Sequence, residues 1–393
     1  MTTDLSQTKN MSALPTIESR IIGSVVCAAI GDAIGGATEG WSHEAVMEHW
    51  GGFVTGPAPM RKQVTISPQL ERGNGRFTDD TLMTHLMIET IAELGRHIDA
   101  FDLADVFVPK MAFDIKWIPE LQVESNVLTR VFLAEKYLVL KLWSVKNDPR
   151  EAGVGNIVNC GAAMYASPVG LINAGRPERA YDEAISVFGA HQSSYGRESA
   201  GVLAACVAEA ASPQGSSVEK VLQVAQDLAK DGTRDAIFSV LEAANDFEDW
   251  REAVTSGKIR QAIAPFDTVG EKYRDPEMGA KMPSRTKSIE ELPVALAMLS
   301  ISGGNPRETI LGGTNYGRDA DSIASMGGAI AGALGGIDSI PMDWADFVEE
   351  ASQTSIFEPG RKLAEATVRI AQGDLAKLRS ELDSITGVLS SNG

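Results

Sequence analysis

Two stretches of this chain, Ser199 to Ala211 and Ile323 to Leu334, are dominated by Ala, Gly and small β-branched residues. Side chains this small let helices approach closely, so both stretches read as central, buried helices. Amphipathic periodicity recurs elsewhere. Between Val218 and Ala229 the residues Val218, Val221, Leu222, Ala225, Leu228 and Ala229 share one face, with Ser217 as N-cap and Gly232 as the stop. At the other end, Asp374 is expected to cap a helix over 373–393 whose Leu375, Leu378, Leu382 and Ile385 pack on the body. Strict apolar–polar alternation over five or more residues is hard to find, and no regular βαβ spacing emerges. The expected fold class is all-α.

Charge narrows the function. The 393 residues carry 53 acidic against 35 basic side chains, a formal net charge of −18. Nucleic acid and anionic membrane are held by clustered Lys and Arg, so both are excluded as partners. With 44% hydrophobic and 22% charged residues the chain belongs with globular proteins and can bury a large core. Length alone allows two or three domains, or one large domain with insertions. We expect a flexible segment over 1–17 and one helical domain over 18–372, followed by the C-terminal helix. Cys27, Cys160 and Cys206 are scattered and odd in number, which fits neither a disulfide framework nor a zinc site. The N-terminal stretch has no apolar run behind a basic head, so the expected compartment is a reducing cytoplasm.

Two long segments stand out as loops: Gly51 to Gly75, and Pro265 to Ser288 with Lys272, Arg274, Lys281, Arg285 and Lys287. Long ordered loops in a helical body often border a site, although a tolerated surface insertion explains them equally well.

Most common catalytic signatures are missing: no Walker A loop, no GxSxG elbow, no HExxH and no CxxC pair. His43, His49, His85, His97 and His191 are not at ligand spacing. Two carboxylate clusters remain. Thr78-Asp79-Asp80-Thr81 precedes an apolar helical run, and Arg318-Asp319-Ala320-Asp321-Ser322 precedes the small-residue stretch at 323–334. Each alone is accounted for by helix capping and dipole complementation. Together they present hard oxygens over short arcs, the donor type that Mg²⁺, Mn²⁺ or Ca²⁺ requires, whereas zinc and copper prefer Cys and His. Asp319-Ala320-Asp321 lacks the other ligands of an EF-hand loop. Were both helix starts to converge, four carboxylates and two hydroxyls would suit two hard cations.

These two clusters, with Gly31-Asp32-Ala33-Ile34-Gly35 near the N-terminus, resemble the ADP-ribosylglycohydrolase family, which includes dinitrogenase-reductase-activating glycohydrolases and J1 crystallins. The three elements occur in the family's order. A looser match is Gly161-Ala162-Ala163-Met164 leading to Pro168-Val169-Gly170, with His191 downstream, so the resemblance spans roughly residues 18–340. It implies an orthogonal all-α domain in which two Mg²⁺ or Mn²⁺ ions orient a ribose beside a scissile glycosidic bond. Thr78, Asp79, Asp80, Asp319, Asp321 and Ser322 would be the metal ligands, and Glu39, Asp80 and Asp319 the catalytic set. Glu39 lies seven residues beyond Asp32, where part of the family carries a base or gate. Asp32, Gly35, His191 and Arg318 would stand on the substrate side; Asp32 is alternatively a helix-end residue, and Arg318 either a phosphate contact or an ion-pair member. The chain departs from the pattern at Tyr165, where Arg is frequent, and at Arg318, where Gly is familiar. Lys110 to Gly155 matches nothing.

The implied activity is hydrolysis of an N- or O-linked ADP-ribosyl conjugate, protein or small molecule, releasing ADP-ribose. A dinuclear metal phosphohydrolase acting on a nucleotide-type substrate is the rival reading, and a non-catalytic, crystallin-like relative the third. Leaving group and oligomeric state are not encoded in these motifs.

Overall fold

The first helix, Ile17–Gly35, starts at Thr16, whose side chain accepts from the Ser19 N–H, and every residue from Arg20 to Gly35 is buried. A helix apolar on all sides belongs at the centre of a helical body. The computed structural model describes residues 14–58, 73–266 and 289–391. Among them the first helix packs most extensively against the Ala320–Gly335 helix. The contact depends on missing side chains: a Cβ at Gly31 would stand 2.2 Å from Ala324 O, and one at Gly332 would stand 2.1 Å from Gly23 O. Arg20 closes the far end. Its buried guanidinium donates to Ala210 O at 3.1 Å, Ala333 O at 2.9 Å and Leu334 O at 2.9 Å. One cation thereby satisfies the last carbonyls of two helices and complements their dipoles.

The all-α expectation holds, with one small exception. Lys116–Ile118 pairs antiparallel with Val123–Ser125, Trp117 opposite Glu124, inside the stretch whose sequence matched no pattern. The stretch 199–211 falls largely within the buried Ser194–Ala210 helix. Ser217 does cap Val218–Leu228, its Oγ accepting from Lys220 N at 3.4 Å. Gly232 is not the stop. The chain turns extended at Ala229, and Gly232 belongs to the next helix, Asp231–Ala244, where a Cβ would stand 3.1 Å from the Tyr195 ring.

The C-terminal expectation is also corrected. A single helix runs from Phe357 to Ser391. No residue in that run forces a break, and Gly373 alone costs only about 1 kcal/mol of helix propensity. Leu363, Ala366 and Ile370 are buried, whereas Leu375, Leu378, Leu382 and Ile385 are between 48% and 62% exposed. Asp374 does not cap: it accepts from Arg179 at 2.7 Å and faces His97 Nε2 at 3.2 Å, the tie after which the helix leaves the body.

Residues 1–13, 59–72, 267–288 and 392–393 lie outside the described residues. With them go most of the expected flexible segment, most of both long loops, and the basic residues Lys272, Arg274, Lys281, Arg285 and Lys287. Cys27, Cys160 and Cys206 are buried, and none of them is in a disulfide. Among the described residues no helix is long and apolar enough to cross a membrane.

Candidate active site

Thr78 caps the Asp79–Leu94 helix, its Oγ1 accepting from Asp80 N at 3.4 Å. The cap is held in turn by Asp32, near the end of the first helix. Asp32 accepts from Thr78 N at 3.0 and 2.9 Å, from Thr81 N at 3.0 Å and from the Thr81 hydroxyl at 2.5 Å. Asp79 leans the other way. Its Oδ1 pairs with Arg130 at 3.0 Å and its Oδ2 accepts from Phe132 N at 3.2 Å. Arg130 also pairs with buried Glu120, so Asp79 could reach a cation only through its remaining lone pairs.

The second cluster is brought in by the seam between the first helix and Ala320–Gly335. The turn after the first helix is clamped to it. Gly40 N donates to Arg318 O at 2.5 Å, Arg318 N donates to Trp41 O at 2.6 Å, and the Thr38 hydroxyl donates to Thr314 O at 2.6 Å. Arg318 takes a left-handed φ of 59° to make this turn. In consequence carboxylate oxygens of Glu39, Asp319 and Asp321, all buried, lie within 4.8 Å of one another.

Asp79, Asp80, Asp321 and Ser322 line one small cavity with Glu135, Asn159 and Cys160. Burial, followed by the charges of Asp32, Asp79 and Asp319, holds the Asp80 carboxyl well above the usual carboxylate range, against a hydrogen bond from Ser322. Burial likewise pushes Asp32 up to about 7, against its bonds from Thr81 and Thr78. Asp80 Oδ1 is buried and has no hydrogen-bond partner among the described residues. Clustered carboxylates with an orphaned buried oxygen are costly unless a cation meets them. The donors are almost all hard oxygens, which fits Mg²⁺ or Mn²⁺. One soft atom intrudes: Cys160 Sγ lies 3.0 Å from Asp319 Oδ2 and 3.4 Å from Ser322 Oγ.

A scan of the whole chain against protein-family models matches the ADP-ribosylglycohydrolase model over residues 13–379. The chain belongs to the ADP-ribosylglycohydrolase family. Among the relatives of this ADP-ribosylglycohydrolase-family chain is the uncharacterised protein YegU of Escherichia coli, 26% identical over 331 residues, covering 82% of this chain and 89% of that protein. Another is the human ADP-ribosylhydrolase ARH3, 26% identical over 360 residues, covering 86% of this chain and 91% of that protein. The fold is similar to that of a solved ADP-ribosylglycohydrolase-related protein complex, with a TM-score of 0.56 and 18% identity over 89% of this chain and 99% of that one. Family membership supports a glycohydrolase activity in general terms.

Within this family member, Thr78, Asp79, Asp80, Asp319, Asp321, Ser322 and Glu39 all fall in or around one buried region. Each of the residues expected on the substrate side has a partner within the fold. Gly35 is a packing residue, since a Cβ there would stand 2.4 Å from Ala320 O. Asp32 holds the cap at Thr78. Arg318 is committed to an ion pair, its Nε donating to buried Glu290 at 2.7 Å. His191 is wholly buried, its Nδ1 2.9 Å from the Tyr165 hydroxyl. Glu135, Asn159 and Cys160, which line the cavity, and Arg130, which pairs with Asp79, are not among the residues expected from the sequence. Asn159-Cys160 immediately precedes the Gly161-Ala162-Ala163-Met164 match and was within reach, whereas Glu135 carries no motif at all.

Proposed function

We propose that this chain is a metal-dependent hydrolase that releases ADP-ribose from an N- or O-linked conjugate on a protein or small molecule. The observation that carries the reading is the convergence of Glu39, Asp319 and Asp321 within 4.8 Å, in the buried region where one Asp80 oxygen has no hydrogen-bond partner among the described residues. Thr78, Asp79, Asp80, Asp319, Asp321 and Ser322 would hold two Mg²⁺ or Mn²⁺ ions. Those ions would supply charge to orient ribose hydroxyls and to acidify water. The chain's own residues do the rest. Glu39 accepts the proton of the attacking water as its oxygen bonds to C1″. The electron pair of the broken C1″–N or C1″–O bond departs with the leaving group, to which Glu39 returns the proton. Burial strengthens each of these interactions over its value in water.

The test offers the purified protein ADP-ribosylated arginine, ADP-ribosylated serine and O-acetyl-ADP-ribose, with Mg²⁺ or Mn²⁺ and after exhaustive chelation. Release of ADP-ribose from at least one of them, lost on chelation and restored by either cation, is the expected result. Turnover unaffected by chelation would overturn metal dependence. Release of inorganic phosphate or AMP would replace the reading with a phosphohydrolase, and cation binding without turnover would favour a crystallin-like relative.

A further inference from the structure

Glu135 is a buried carboxylate for which the proposed chemistry has no use. It stands on the Leu133–Val139 helix and is 1% exposed. Among the described residues neither Oε1 nor Oε2 has a hydrogen-bond partner. The ion-pair contact with His191 Nε2, 3.4 Å from Oε1, makes no hydrogen bond. His191 Nε2 faces only Oε1, so Oε2 is buried unmet, which is strongly unfavourable and calls for a donor from outside the chain.

Three features show where that donor enters. Glu135 lines the cavity that also contains Asp80, Asn159, Asp321 and Ser322. Gly161 makes the space, since a Cβ there would stand 2.1 Å from Glu135 Oε1 and 2.8 Å from Asn159 Oδ1. Behind Glu135, the Tyr165 hydroxyl lies 2.9 Å from His191 Nδ1. With tyrosine donating there, the imidazole carries its hydrogen on Nε2, the side of Glu135. Among the described residues Glu135 is not one of the carboxylates gathered with Glu39, Asp319 and Asp321, and acceptor oxygens left unmet beside a cavity suit a hydrogen-bond donor.

We infer that Glu135 accepts a hydrogen bond from a hydroxyl of the distal ribose of a bound ADP-ribosyl group, as a positioning and specificity-determining residue. This rests on the proposed function, which brings that ribose to the cavity. Glu135→Gln replaces one acceptor oxygen with a donor at almost unchanged volume.

Calorimetric titration in Mn²⁺ with ADP-ribose, and with ADP, which lacks the distal ribose, tests it. Glu135→Gln should weaken ADP-ribose at least tenfold while changing ADP and Mn²⁺ affinities less than twofold. Gly161→Ala, whose methyl displaces Glu135 Oε1, should weaken ADP-ribose in the same direction, and it serves as the test should Glu135→Gln fail to unfold cooperatively. Unchanged ADP-ribose affinity in the folded variants would overturn the inference, as would a tenfold loss of Mn²⁺ affinity in Glu135→Gln. A wild-type chain that binds Mn²⁺ but not ADP-ribose would instead overturn the proposed function, and this inference with it.

Discussion

The Thr81 hydroxyl donates to Asp32 Oδ2 across 2.5 Å, joining the end of the first helix to the first turn of the Asp79–Leu94 helix. Asp32 thereby sets the orientation of Asp79 and Asp80 without lining the cavity itself. Asp32→Asn would turn an amide donor toward groups that are themselves donors. We expect a stability loss of about 1–3 kcal/mol by urea unfolding, and Mn²⁺ binding weaker by about 10–100-fold. A variant equal to wild type in both would deny Asp32 its positioning role.

Glu39→Gln removes the proposed proton acceptor and keeps the shape. Steady-state kinetics should show kcat lower by about 10²–10⁴-fold, the usual size of a general-base contribution, with the protein still binding Mn²⁺. Near-normal kcat would return Glu39 to an ordinary loop acid.

Asp80 and Asp321 line one cavity although their helices begin far apart in sequence. If they share a cation site, Asp80→Asn and Asp321→Asn should each collapse Mn²⁺ binding, and the double variant should lose little more. Independent capping residues would instead cost about 0.5–2 kcal/mol each, add nearly linearly and leave Mn²⁺ titrations unchanged.

His85 supplies an acid sensitivity separate from the carboxylates. Its Nε2 is sealed from solvent and has no hydrogen-bond partner among the described residues, and burial, aided by Lys116, pushes its pKa down from 6.5 to about 3. The unfolded chain therefore takes up a proton below pH 6.5 that the folded protein refuses until about 3. Stability is present above that window and is lost as pH falls through it, by at most about 1.4 kcal/mol per pH unit. Urea unfolding at two pH values inside the window should show a shallower decline for His85→Gln than for wild type; parallel declines would place the sensitivity elsewhere.

Leu378 and Leu382 are 62% and 60% exposed on the outer part of the C-terminal helix. Replacing both with Gln should move the unfolding free energy of the body by less than about 0.5 kcal/mol. A loss above about 2 kcal/mol would mean that this face is covered in solution.

The helical class, the two carboxylate clusters and the caps were legible in the sequence because each depends on neighbours in the chain. Small residues at 323–334 announce a close helix contact, and Thr78 followed by Asp79 and Asp80 announces a helix start. What these residues meet was not legible. The approach of Glu39 to Asp319 and Asp321 is made by a turn clamped through Trp41 and Arg318, and by glycines whose partners lie about 300 positions away. Arg318 reads equally well as a phosphate contact or an ion-pair member until Glu290 is seen beside it. The exposed leucines past Asp374 read as a packing face because periodicity reports only that a face is apolar, and tertiary structure alone decides what covers it. Glu135 left no trace at all, since a carboxylate becomes chemically pressing only when folding removes water from both its oxygens and provides no donor in return.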